Sequence, residues 1–179
     1  GWLVLFHLPP GRPLVGDEGA PLSPSVGELR REMLRLGEGL EAMRELGLEH
    51  GEINVHTLWC RQESGSVVLG LLAPLTAEVR GATDNLLFRP PDPEDGGDGD
   101  LYALATAGYY WAAERLPFAG PSLTSFAERQ RSEAPPALDE ARLEVTREEA
   151  GIFTRALWRR APDRIALLSE WNRCWREIA

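Results

Sequence analysis

Glu49-His50-Gly51-Glu52-Ile53-Asn54-Val55-His56-Thr57-Leu58 joins a helical pattern on its left to a strand-like one on its right, and reads as a loop running into a strand. Its two histidines and its glutamate invite a metal or acid–base reading. A zincin helix needs His, Glu and His on one face, and these histidines stand six residues apart, off that spacing. His56 and Cys60 would share a face only if the segment were helical. Zinc is therefore not expected, and the histidines read as structural.

Upstream, Ser25-Val26-Gly27-Glu28 has the Ser-x-x-Glu form of a capping box. Beyond it Leu29, Met33, Leu36, Leu40 and Met43 alternate spacings of four and three, which places one apolar stripe along a helix of about five turns that ends at Gly47. Further upstream, Trp2 to Phe6 reads as a short strand, ended by Pro9-Pro10-Gly11, with a Gly- and Pro-rich loop to about Pro24.

Downstream, Leu58-Trp59-Cys60 and Val67-Val68-Leu69 flank Ser64-Gly65 as a small hairpin. Asp92 to Asp100 is an acidic loop without the ligand order of a calcium loop. Leu101 to Ala113 is apolar nearly all round, so it belongs in the middle of a domain; its thirteen residues are too few for a membrane span. Ser122 to Arg131 reads as a short helix. Two amphipathic helices, about Arg147 to Arg160 and Asp163 to Ile178, close the chain, the last with Ile165, Leu168, Trp171, Trp175 and Ile178 facing inward.

The 179 residues suit one domain, and 43% hydrophobic content agrees with a folded core. A net charge of −9 argues against a nucleic-acid partner, because phosphate binders need a positive field. No stretch approaches a membrane span, and two widely separated cysteines fit a reducing cytoplasm. All 19 basic residues are arginine, so no side chain here can serve as a Schiff-base or phosphate-clamping lysine. A Gly-x-Ser-x-Gly elbow and a phosphate-cradling Gly-rich turn are also missing from the sequence.

Taken in order, these signals resemble the C-terminal, helical lobe of the eukaryotic-type serine/threonine protein kinases, in degenerate form. The loop His50 to Leu58 looks like His-Arg-Asp-Leu-Lys-Pro-Glu-Asn-Leu: His50 matches the family's histidine, Glu52 stands at the aspartate base, Asn54 at the lysine and Thr57 at the magnesium-binding asparagine. Gly70-Leu71-Leu72-Ala73 lies where Asp-Phe-Gly is expected. Phe88-Arg89-Pro90-Pro91-Asp92 resembles Tyr-x-Ala-Pro-Glu, and Asp100-Leu101-Tyr102-Ala103-Leu104 the opening of the family's central helix. Leu116-Pro117-Phe118-Ala119-Gly120 resembles the Pro-Phe-x-Gly that follows that helix. Leu157, Pro162 and Arg164 are similar to the closing Leu-x-x-Asp-Pro-x-x-Arg, one residue short.

The resemblance implies a mainly α (α+β) fold over 1–179. A hinge strand and linker occupy 1–13, a long helix 25–47, a degenerate catalytic loop and hairpin 49–73, and a degenerate activation segment 74–99. A central buried helix follows over 100–114 and terminal helices over 122–179, with no N-terminal lobe. It places Leu5 at the gatekeeper and Leu8 at the hinge as vestiges of a nucleotide pocket, and pairs Asp92 with Arg164. It also implies an inactive pseudokinase that uses no cofactor or metal, is not expected to bind ATP, and engages a protein partner. The alternatives are a kinase-derived enzyme whose ATP-binding lobe lies outside this chain, and an unrelated all-α bundle.

Overall fold

Ser25 starts the first helix by holding extended backbone (φ −65°, ψ 157°) while its hydroxyl accepts from the Glu28 N–H and the Glu28 carboxylate accepts from the Ser25 N–H. Helix α1 then runs Val26–Glu45 and buries Leu29, Met33, Leu36 and Leu40 along one side. Beyond it, Gly47 takes a left-handed φ of +71°. The structure is a computed structural model, and it describes residues 10–14, 23–61, 67–69, 86–92, 97–158 and 164–178.

Helix α2, Gly99–Ala113, carries no polar face and lies in the core. Leu101, Leu104, Ala105, Ala107 and Tyr109 are fully or almost fully buried. The Asp98 side chain caps it by accepting from the Leu101 N–H, and Glu114 ends it at a left-handed φ of 57°. Gly108 permits the close approach of α1: a Cβ there would stand 2.4 Å from Met33 Sδ.

After α2 come α3 (Leu123–Ser132), the short α4 (Leu138–Ala141), α5 (Arg147–Ala156) and α6 (Leu168–Glu177). The last two are shorter than the sequence suggests. The Leu157 N–H closes the end of α5 on Phe153, and Ile165 donates to the Arg155 carbonyl at 3.1 Å. Ile165 thus satisfies the exposed end of α5 instead of starting α6. Helix α6 packs on α1 and α5 through Trp171, Trp175 and Phe153, whose rings meet edge-on at centroid distances of 5.5–5.9 Å. The Trp171 indole also donates to the Met33 carbonyl at 3.1 Å.

The hairpin is present as β2 (Leu58–Arg61) and β3 (Val67–Leu69), with Trp59 opposite Val68. A third strand, β1 (Gly11–Pro13), runs where the sequence predicts the Gly/Pro-rich loop. It pairs antiparallel with β2, Arg12 opposite Cys60, and forms the edge of the sheet among the described residues. An edge strand tolerates proline, since one side of its backbone needs no partner. Leu14 donates to the Leu58 carbonyl at 3.0 Å, so by alternation Pro13 turns its nitrogen away from β2. The expected strand Trp2 to Phe6, with Leu5 and Leu8, lies outside the described residues. Buried Glu32 docks the sheet on α1 by accepting from the Val67 N–H at 3.0 Å, while Arg31 and Arg35 balance its charge.

Candidate functional site

The loop after α1 is held from below by the central helix. Asp100 is buried at the first turn of α2, and its two carboxylate oxygens accept from the backbone N–H groups of His50 (2.8 Å) and Gly51 (2.7 Å). Gly51 adopts a φ of +75°, a conformation that costs other residues strain. His50 is itself buried, as a structural histidine would be.

Arg44, in the last turn of α1, completes the anchor. Its guanidinium forks onto Asp98 (3.1 and 3.2 Å), lies 3.5 Å from Asp100 and pairs with Glu49. Burial opposes the charge on Arg44, yet the hydrogen bonds it donates to Asp98 and Glu49 outweigh it and raise its pKa. Sequence reasoning missed this residue: nothing local in Met43-Arg44-Glu45 marks a partner more than fifty positions away. Asp98 was legible in principle, as an Asp just before an apolar run that could cap it.

Asn54 and Thr57 fold the loop onto itself. Asn54 Oδ1 accepts from the N–H groups of His56 (2.8 Å) and Thr57 (3.1 Å), an Asx-type turn. The Thr57 hydroxyl accepts from the Asn54 N–H and lies 2.9 Å from the Glu52 carbonyl, to which it donates. Glu52, Asn54 and Thr57 are thus brought together in one turn, with Ile53 buried beneath it.

A second junction ties residues 86–92 to the helices. Gln130 of α3 donates to the Arg89 carbonyl (2.8 Å) and to the Tyr102 phenol oxygen (2.9 Å). Burial pushes the Tyr102 pKa up to about 12, with Gln130 and Arg164 pulling the other way. Arg164 is buried, its guanidinium 5.6 Å from the centre of the Tyr102 ring, and it donates to the Trp158 carbonyl at 3.2 Å. It lies so close to Gly97 that a Cβ there would meet Nη2 at 2.0 Å. Asp92 is exposed just beyond the Phe88–Pro91 segment.

Between these two junctions opens a cleft of about 600 Å³. Ile53, Phe88 and Ala103 line it with apolar surface, while Arg44, Glu49, Arg89, Asp98 and Asp100 contribute charge. Among the described residues no three His, Cys, Asp or Glu side chains are placed to hold a metal ion, and no helix is long and apolar enough to cross a membrane.

No protein-family model matches this sequence, and no curated protein matches it. Solved structures do. Two double mutants of the Mycobacterium tuberculosis PknI kinase domain superpose with a TM-score of 0.65 at 21% and 20% identity, and a single mutant with 0.64 at 20%. Each alignment covers 95% of this chain and 62% of the other. The fold is protein kinase-like.

The chain therefore spans less than two thirds of the kinase domains it superposes on, and it matches their C-terminal part. In this kinase-like fold the all-round apolar helix is the centre, as its composition requires. Identity near 20% speaks for the kinase-like architecture alone, because one fold can carry many functions.

Proposed function

We propose that this chain is a catalytically inactive, pseudokinase-type domain that works as a protein-interaction, scaffold or regulatory module. The observation that carries the proposal is the use of the loop side chains. By the resemblance, Asn54 and Thr57 stand where a phosphate-facing lysine and a magnesium-binding asparagine belong. Here the Asn54 side-chain amide oxygen and the Thr57 hydroxyl close the loop's own turn. Glu52 stands at the aspartate position, and the whole chain has no lysine. Phosphoryl transfer by kinases rests on positioning and on charge stabilisation by lysine and metal ions, so such a loop lacks the main contributors.

The partner is a protein; the charge of −9 disfavours nucleic acid, and no cofactor or metal is invoked. Two cysteines that form no disulfide, Cys60 and Cys174, agree with a cytoplasmic setting. A second reading rests on coverage. Because the chain spans 62% of the kinase domains it superposes on, an ATP-binding lobe outside it would make it part of a serine/threonine protein kinase-derived enzyme.

Calorimetry with ATP and magnesium tests the first reading. The expected outcome is no heat of binding at millimolar nucleotide. A magnesium-dependent dissociation constant in the micromolar range overturns it and favours the second.

A further inference from the structure

The cleft beside Asp100 has the anatomy of a small protein-docking site. Its volume of about 600 Å³ falls within the range of roughly 300–1,000 Å³ typical of binding pockets. Ile53, Phe88 and Ala103 form an apolar lining and are themselves almost completely buried. Leu167 carries that apolar surface outward: it lines the cleft yet is 64% exposed. An apolar floor continued onto the surface and rimmed by charge is the pattern of an anchor site for a protein side chain.

Charge selects among occupants. The lining holds three carboxylates (Glu49, Asp98, Asp100) against two guanidiniums (Arg44, Arg89), one negative charge in excess. Arg44 is already engaged by all three carboxylates, so it is poorly placed to receive an anion. Glu49 is 73% exposed, which leaves its carboxylate accessible from solvent. The chain as a whole carries −9, a field that attracts cationic segments and repels acidic ones.

We propose that this cleft docks a segment of a partner protein in which a leucine-type apolar residue is flanked by arginine or lysine. The apolar side chain sits over Ile53, Phe88 and Ala103, and a flanking cation meets Glu49 at the rim. The proposal rests on the interaction-module reading above and names where, and to what chemistry, that module binds.

The test is an amide-resolved NMR titration of the intact 179-residue chain with a terminally blocked Arg-Leu-Leu-Arg tetrapeptide, beside Glu-Leu-Leu-Glu. The first peptide is expected to shift the amides of Gly51, Gly99, Ala103 and Leu167, and to bind at least about threefold more tightly than the second, the scale of an exposed charge pair. Two variants at exposed positions, Glu49→Arg and Leu167→Gln, should each weaken Arg-Leu-Leu-Arg by about threefold or more while leaving the remaining spectrum folded. Shifts that map away from the cleft, no shifts at all, or equal binding of the two peptides overturn the docking proposal. Adding Mg-ATP to a separate portion of the same sample keeps the two ideas apart: nucleotide-dependent shifts count against the inactive reading and leave the peptide result standing.

Discussion

The carboxylate of Asp100 holds the backbone N–H of His50 at 2.8 Å across fifty positions of sequence, and so ties the loop to the central helix. Both groups are buried, and Gly51 donates to the same carboxylate. Asp100→Ala would strand two backbone donors and remove one of the carboxylates that balance Arg44. A loss of about 3 kcal/mol in urea unfolding is expected, toward the low end for buried charges because Arg44 is partly exposed. Asp100→Asn keeps an acceptor and should lose less. A change below about 1 kcal/mol for the alanine variant would contradict the anchoring role.

Two glycines of α1 should respond in opposite senses. At Gly37 a Cβ would stand 2.2 Å from Asn172 Oδ1 and 2.6 Å from the Trp171 ring, whereas at Gly39 nothing lies within 4 Å. Alanine stabilises an open helical position by about 0.5–1 kcal/mol, so Gly39→Ala should raise the melting temperature. At Gly37 the clash with two buried side chains outweighs that gain, and Gly37→Ala should lower stability by about 1–3 kcal/mol. Parallel thermal melts that move both variants the same way would contradict the packing of α6 on α1.

Alkaline pH should destabilise the fold through Tyr102. Burial raises its pKa to about 12 in the folded chain, against about 10 unfolded, so the folded state binds the proton more tightly. The stabilisation is complete below pH about 10 and is lost as pH climbs toward 12, at up to roughly 1.4 kcal/mol per pH unit. Burial raises the Tyr109 pKa as well, which adds a slope of the same sign. Tyr102→Phe isolates the first contribution: urea midpoints at pH 9 and pH 11 should differ less in that variant than in the parent. An unchanged difference would mean that Tyr102 does not keep its proton preferentially on folding.

Asp92 and Arg164 remain a proposed pair. Arg164 is buried against Tyr102 and Gly97, while Asp92 is exposed, so a partly solvated ion pair is the geometry to expect. A double-mutant cycle on Asp92→Asn and Arg164→Gln should give a coupling of about 1 kcal/mol or less, above zero. Arg164→Gln alone should cost more than the coupling, because it also removes the contact with Tyr102 and the bond to Trp158. A coupling indistinguishable from zero rules the pair out.

Local rules made several elements legible from sequence alone. The capping box at Ser25 and Glu28, the stripe from Leu29 to Leu40 and the all-round apolar run from Leu101 to Ala113 are encoded within a few residues of where they act. The hairpin strands were visible for the same reason, through β-prone runs on either side of a turn. The helix-like reading of 164–167 failed because a non-local bond, Ile165 to the Arg155 carbonyl, overrode a locally plausible period.

What residues 49–58 are attached to was decided by tertiary structure. Arg44 and Asp98 are 54 positions apart, Gln130 and Arg89 41, and Glu32 and Val67 35; no pattern in the sequence links such partners. The edge strand Gly11–Pro13 belongs to the same class, since a proline-containing segment becomes a strand only when a neighbour offers one edge and leaves the other free. Periodicity and caps act through neighbouring residues and so can be read along the chain. Buried charge must find its partner in space, because desolvation makes an unpaired one too costly to keep, and that choice is made only when the helices pack.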